Sequence, residues 1–539
     1  MPDFCSSPAP LPRRILGSAL LLGLFTTGCA RQHFFQPDAR VPDSAAQAAV
    51  GPDSARVTAG RHYRRGAPGR LFFGRHYREV WAQPVTLPVL NLQTAAPGGL
   101  QPGKVGGGFQ TTSMTLNGPG GRTYALRSLD KDPYKTLSKF LRHTFALNVV
   151  RDATSAGTPY GAFVVPPLAE AAGVLHTTPR PFYIRSDENG LGKASERFRG
   201  KVVLLEEKYE SKENLGPAFG PGAVDLMESD DALAEIYQNP QHRFDQPAFL
   251  RARLLDLWLG DWDRHEGQWD WVAVQQPEGP TIYRPIPIDR DQVFFRFDDG
   301  LISWLVSKAV RKFRTFGPEY QSIGGYTRNA RFIDSRALNE QTRRQYLSTA
   351  AALQQRLTDE VIERAARRLP PEVYRLEGPH LVAALKARRD ALPRAAAEFY
   401  RRHAEEVVVP GTDAAERFVV ERRNDTLTVV SVYGGEKART LLYQRGFRPA
   451  ETKLVLLHGL GGKDVFELAG NVRRSPRIDI YGGPGEDTVV DSSRVAGLRR
   501  MTRFYDTKRN SVADPAPELK IKTESGVTTH AFDRDGSGR

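Results

Sequence analysis

Apolar positions along the chain change period several times, and each change marks a segment. Behind Arg13 and Arg14, the run ILGSALLLGLF from Ile15 to Phe25 is unbroken but short of a bilayer span, the length of a secretory signal's apolar region. Residues 29 to 59 are rich in Ala, Pro, Asp and Gln with little period, which predicts a flexible tether. Strand patterns follow: VTLPVLNL, the glycine-rich GGLQPGKVGGGFQTTSMTL, a GPGG turn and RTYALRSL, then GKVVLLEEKYE from Gly200. PPLAEAAG, Pro166 to Gly173, is a short helix with proline in its first turn. A longer helix starts at Pro247, carries Phe249, Leu250, Leu254, Leu257 and Trp258 on a broad apolar face, and stops at Gly260. The strand IYRPIPIDRDQVFF carries Asp289 and Asp291. From 336 to 404 the period is helical, with Thr358 as a cap before Asp359 and Glu360 and Pro370-Pro371 as a stop. Beyond 406 it returns to strands, with a hairpin turning at Arg-Asn-Asp between 415 and 433. HGLGGKDVFEL and YGGPGEDTVVD share glycines, an acid and alternating apolar residues, which predicts two stacked units packing Val465, Phe466, Val489 and Val490. Residues 511 to 539 read as a loosely ordered tail.

With 539 residues, 40% of them hydrophobic and 26% charged, the chain has room for two to four domains of globular composition. Its net charge of +14 favours acidic partners, but the basic residues are dispersed along helical faces and give no specific nucleic-acid patch. The cysteines are informative. TTGC, ending at Cys29, resembles a bacterial lipobox, so that residues 1 to 28 are a lipoprotein signal peptide and Cys29 is acylated. Cys5 lies within that peptide, which leaves the mature chain without a disulfide. The expected location is the cell envelope, lipid-anchored on the periplasmic or surface side of the outer membrane.

GDWDRHEGQWDW, Gly260 to Trp271, concentrates the candidate chemistry in the loop after the buried helix. Upstream, Gly106, Gly107 and Gly108 suit a flap whose amides approach phosphates, with Arg127 or Lys131 on a following strand to neutralise them. A Walker loop does not fit, because Val105 stands where Ser or Thr must bind magnesium. A buried helix, Asp-Arg-His with an amide three residues beyond the histidine, and a strand ending in an acid together resemble the core of atypical kinases: phosphoinositide, secretory-pathway and HipA-like. That resemblance implies ATP and Mg as cofactors. It implies Asp263 as the base, His265 as a brace beside it, Gln268 and Asp289 as metal ligands with Asp291 in reserve, and Asp152 or Glu170 as partner of the flap's cation. The expected class is α+β, a two-lobed atypical protein-kinase-like core (60 to 210 β-rich, 211 to 405 helical) followed by an all-β domain, solenoid or sandwich, from 406 to 510.

A longer series, GGGFQTTSMTL, VVPPLAEAAG, GDWDRHEGQW, RPIPIDRDQVF, LTDEVIERAARRLPPEVY, GLGGKDVFEL and GGPGEDTVVD, resembles the soluble region of a group of Bacteroidota envelope proteins. There it is often preceded by a calcineurin-like phosphoesterase domain and followed by a BamA/TamA-like barrel. The resemblance implies an outer-membrane barrel or a phosphoesterase as partner, and this chain as the middle region alone. Arg127 in place of lysine and Gln268 in place of asparagine also suit a catalytically inactive scaffold. Other readings stay open. Asp261, Asp263, His265 and Asp289 could hold a metal for hydrolysis, or the loop could be structural, its tryptophans packing and Arg264 pairing a buried acid. Asp464 and Asp487 are candidate calcium ligands, and His62 and His76 read as structural. KLVLLHGLGG resembles a hydrolase oxyanion loop, but no G-x-S-x-G follows it.

Overall fold

The computed structural model describes residues 30–31, 33–43, 47, 50–106, 111–435, 439–507, 511–513, 518–524 and 531–537. Cys29, Gly107 and Gly108 lie outside them. The segment expected as a tether is partly packed. Phe34 is buried beside Tyr63, with ring centroids 6.1 Å apart, and β1 (Ser54–Val57) buries Ala55 and Val57. Alternation in SARV puts these two on one face, and burial of that face fixes the strand. After α1 (Ala67–Phe73), β2 (Val85–Pro88) pairs antiparallel with β1.

The first lobe is an antiparallel sheet of β3 (Gln101–Gly106), β4 (Thr111–Asn117), β5 (Thr123–Lys131), with α2 (Val165–Ala172) following, then β6 (Arg180–Tyr183) and β7 (Val202–Glu207), in the order β3-β4-β5-β7-β6. Met114, Leu116, Tyr124, Leu126, Val203 and Leu205 fill one side. Period-two alternation therefore turns Arg127 and Glu206 to the other side, toward the second lobe.

That lobe has a sheet of β8 (Ala223–Glu228), β9 (His242–Phe244), then, after α3 (Gln246–Leu259), β10 (Trp269–Val274) and β11 (Thr281–Pro287), ordered β8-β10-β11-β9. Asp245 caps α3 by accepting the Ala248 N–H. Helix α3 is apolar nearly all round, and it is buried accordingly against α5 (Arg343–Arg356) and α7 (Pro371–His403), while α4 (Leu301–Ala309) packs on α1 and α6 (Asp359–Ala366) on α7 and α2. The expected stop at Pro370-Pro371 both ends one helix and opens the next, since proline fits the first turn where no N–H is needed. Among the described residues no helix is long and apolar enough to cross a membrane.

The all-β region is a parallel solenoid with an antiparallel flap. Its strands are β12 (Glu406–Pro410), β13 (Arg417–Asn424), β14 (Leu427–Gly434), β15 (Thr440–Phe447), β16 (Leu454–His458), β17 (Val465–Ala469), β18 (Asn471–Val472), β19 (Arg477–Tyr481), β20 (Thr488–Asp491), β21 (Arg494–Val495), β22 (Thr502–Thr507), β23 (Ser511–Ala513) and β24 (Leu519–Glu524). One face runs β12-β16-β19-β22-β24 and the other β13-β17-β20-β23, with β14 and β15 appended to β13. One rung is 23 residues, which aligns 454 with 477, 462 with 485, 465 with 488 and 471 with 494. Phe466 and Val489 stack in the interior as expected, but Val465 aligns with Thr488 and Val490 is exposed, because alternation sends them outward. His458, Tyr481 and Tyr505 stack along the outside at 4.6 and 4.8 Å. The segment expected as a loose tail supplies β23 and β24, and its Phe532 packs between Tyr237 and His458. The α+β class, with a separate all-β region, is as the sequence pattern predicts.

Candidate functional site

The loop after α3 is held from below by buried charge. Gly260 ends the helix at φ +71°, and a side chain there would meet the Phe316 ring. Asp256, fully buried, accepts from Arg253 at 3.0 Å, lies 3.3 Å from Arg264 and pairs with Arg290, and these cations outweigh burial to hold its carboxyl below the usual range. Arg264, also fully buried, donates to the Ile288 carbonyl (2.6 Å) and the Gln268 carbonyl (2.7 Å) and lies over Trp269. It clasps the loop's end to the end of β11.

The clasp puts the candidate ligands at one place. Trp269 pairs with Pro287 across the β10/β11 hairpin, so Gln268 and Asp289 emerge at the same end. The strand ends before both acids, and Asp289 follows it in the left-handed region at φ +53°, a conformation a non-glycine residue holds only when its surroundings enforce it. Burial pushes the Asp289 carboxyl up, but Arg127 and Lys131 outweigh it and, with a hydrogen bond from Gln268, keep it low. Arg127 lies 3.6 Å from Asp289 and donates to Glu206 at 2.9 Å. Lys131, four residues on and on the same face of β5, pairs with Asp291; burial lowers its pKa while Asp289 and Asp263 raise it. Asp263 is half-buried, and its Oδ1 accepts from the Asn329 side chain at 2.6 Å. The structure thus gathers Asp263, Gln268, Asp289, Asp291, Arg127 and Lys131 at one cleft.

These residues fit a divalent cation. Asp289 offers a carboxylate kept ionised, and Gln268 Oε1 is buried without a hydrogen-bond partner, a hard oxygen left free. Hydrolysis at a metal held by Asp261 and His265 does not fit. Asp261 is buried against Arg290 (3.4 Å) and Arg264 (3.8 Å), and His265 Nδ1 accepts the Gly267 N–H, which makes His265 a brace. Among the described residues no group of three His, Cys, Asp or Glu side chains could hold a metal. The tryptophans pack: Trp262 against Phe295 and Phe313, Trp269 and Trp271 against Phe249.

Some expectations are corrected. Neither Asp152 nor Glu170 pairs with Arg127: Asp152 is taken by Arg78 (2.6 Å) and Arg65 (2.7 Å), and Glu170 is exposed. The partner is Glu206, on the strand beside β5, where Arg127 aligns with Leu204. Asn329 and Lys312 also went unread in the sequence; Lys312 stands 4.5 Å over Trp262 and is influenced by Asp263. Strand alternation in VVLLEE sets which way Glu206 faces, but only the pairing of β7 with β5 brings it to Arg127, and nothing local marks the other two. Of the flap, Gly106 ends β3 opposite Ser113. The candidate calcium ligands Asp464 and Asp487 have another use. Asp464 accepts the Glu416 N–H (2.8 Å) and Asp487 the Asp464 N–H (2.9 Å), a ladder of acids capping amides rung by rung. His76, buried, bonds Ser155 and the Phe297 carbonyl, and His62 lies 3.3 Å from Asp130; both are structural.

No protein-family model and no curated protein matches the chain. Among solved structures it is similar to the Helicobacter pylori proinflammatory kinase CtkA, at 10% identity and TM-score 0.28, covering 53% of this chain and 93% of that one. It is similar to HipA of the Shewanella oneidensis toxin–antitoxin system, at 13% identity and TM-score 0.27, over 55% of this chain and 67% of the other. A Golgi casein kinase with Mn and ADP bound aligns at 12% identity and TM-score 0.25, over 57% and 75%. Each TM-score is below 0.5, so the kinase-like reading of the cleft stands on this chain's own residues.

Proposed function

We propose that the cleft transfers a phosphoryl group from Mg-ATP to a hydroxyl of an envelope protein, lipid or glycan, in a chain anchored to a cell-envelope membrane by acylated Cys29. The observation that carries the reading is the unpartnered Gln268 Oε1 beside Asp289, below two cations from the facing sheet and beside the accessible Asp263. Bound magnesium would neutralise phosphate charge. Gln268 and Asp289 would hold it, and Arg127 and Lys131 would orient the phosphates once exchanged from their carboxylates. Asp263, held by Asn329, would take the acceptor hydroxyl's proton on the oxygen that Asn329 leaves free.

A second reading, a scaffold without turnover in outer-membrane assembly with a barrel or phosphoesterase partner, is favoured by one observation. Glu206 and Asp291 already neutralise Arg127 and Lys131. The two separate on incubation of the chain with γ-labelled ATP, magnesium and membrane fractions. Phosphotransfer predicts label that disappears with Asp263→Asn while ATP binding persists. The same label with Asp263→Asn contradicts it, and binding without label in the wild type supports the scaffold.

A further inference from the structure

Five exposed apolar side chains lie on two adjoining helices. Leu71 (68% exposed) and Phe72 (45%) project from α1, and Leu301 (50%), Trp304 (44%) and Leu305 (39%) form an i, i+3, i+4 stripe on α4. The helices adjoin so closely that a side-chain carbon on Gly300, capping α4, would strike the Gly74 amide at the end of α1. An open trough of about 900 Å³ lies between them, lined by Leu71, Leu301 and Trp304 with Arg70 and Arg75. Its acids are engaged inward: Asp299 accepts the His76 N–H at 2.8 Å and Asp298 the Thr315 N–H at 3.0 Å.

The cations around this face are of a different kind. Arg75, Lys308 and Arg311 are exposed and have no carboxylate partner among the described residues, and Lys308 sits 4.8 Å over the Trp304 ring. A contiguous apolar patch on a chain's surface marks an interaction site. When its border carries unpaired cations and an exposed tryptophan, the matching medium is apolar within and anionic at its edge.

We propose that the α1/α4 face docks on a bilayer with anionic headgroups, Leu71, Phe72, Trp304 and Leu305 entering the headgroup boundary and Arg75, Lys308 and Arg311 meeting phosphates. The contact depends neither on acylation of Cys29 nor on phosphotransfer. It has a consequence for the cleft, because the chain leaving α4 reaches Lys312 beside Trp262, and docking therefore holds the catalytic loop next to the bilayer.

The test uses the full chain with Cys5→Ser and Cys29→Ser, and one new cysteine bearing a polarity-sensitive nitrobenzoxadiazole probe, at Trp304→Cys or, as a control on the solenoid, at Leu498→Cys. Vesicles contain phosphatidylglycerol with phosphatidylcholine, or phosphatidylcholine alone. The probe at 304 is expected to brighten and shift blue only with phosphatidylglycerol, and the probe at 498 not to respond. Adding Lys308→Glu and Arg311→Glu should raise the lipid needed for half the shift about tenfold or more. No shift at 304 on anionic vesicles, an equal shift at 498, or indifference to headgroup charge overturns the proposal. So does a shift without vesicles that grows with protein concentration, which would assign the face to a second copy of the chain.

Discussion

Arg264→Lys tests whether the clasp between loop and strand sets the site. Lysine keeps the charge beside Asp256 but has one compact ammonium in place of a planar fork, so it cannot serve the Ile288 and Gln268 carbonyls and Asp256 together. A hydrogen bond from a charged donor contributes about 1.5–3 kcal/mol, and with one of the two carbonyl bonds recovered the net loss is about 2–3 kcal/mol. At roughly 2–4 °C per kcal/mol for a domain of ordinary size, melting should fall by about 4–12 °C. The carbonyl left without a donor belongs to Gln268 or to the residue before Asp289, so the two ligands lose their common anchor. Magnesium-dependent ATP affinity should then fall by about tenfold or more, since removing a group that orients metal ligands costs about 10–100-fold in metal affinity. Scanning fluorimetry with and without Mg-ATP reads both effects. A variant that melts with the wild type and responds equally to Mg-ATP would refute the clasp.

Other consequences are as direct. Gln268→Ala should abolish the magnesium dependence of nucleotide binding while costing only about 1 kcal/mol of stability, because Oε1 has no partner to lose and the amide's bond to Asp289 is its main loss; calorimetry with and without magnesium checks it. Lys312→Met should lower turnover with little effect on ATP affinity, since Lys312 stands by Asp263 and not by Asp289; steady-state kinetics would show kcat falling at constant KM for ATP. In the solenoid, burial pushes Glu416 up to about 7, Asp464 to about 9 and Asp487 to about 6. Raised acids contribute stability that is complete below their unfolded values and is lost as pH rises through the folded ones, so the solenoid should weaken progressively from about pH 4 to about pH 9. Asp464→Asn should remove part of that loss at pH 9 and little at pH 5. Buried His76 and half-buried His62, His403 and His458 have the opposite sign, lowered by desolvation to between about 3 and about 4, so their stabilisation is complete above 6.5 and is lost as pH falls toward those values.

Much of the core was legible because its determinants are local. Helix α3 announces itself by Pro247, an apolar body and Gly260, and the loop after it by an unusual concentration of acids, a histidine and tryptophans. Gln268 and Asp289 could be read as a pair because one hairpin joins them. Glu206 was missed because its role depends on which strand lies beside β5, a pairing of residues 79 apart that no local pattern encodes. Asn329 reaches Asp263 across 66 residues for the same reason. The acids of the solenoid could be read two ways: an acid after glycine turns is common to calcium loops and to amide ladders, and the 23-residue stacking shows the ladder. The packed parts of residues 33 to 59 and 511 to 537 read as loose because their few apolar residues, such as Phe34 and Phe532, are buried by contacts made elsewhere in the chain.

Binding of Mg-ATP by the full chain, compared with Asp289→Ala by isothermal calorimetry, tests the central claim most directly. The account predicts saturable, magnesium-dependent binding in the wild type that is lost with Asp289→Ala, while the circular dichroism of the variant stays unchanged. Absence of binding at millimolar nucleotide, or binding that survives Asp289→Ala undiminished, would contradict it.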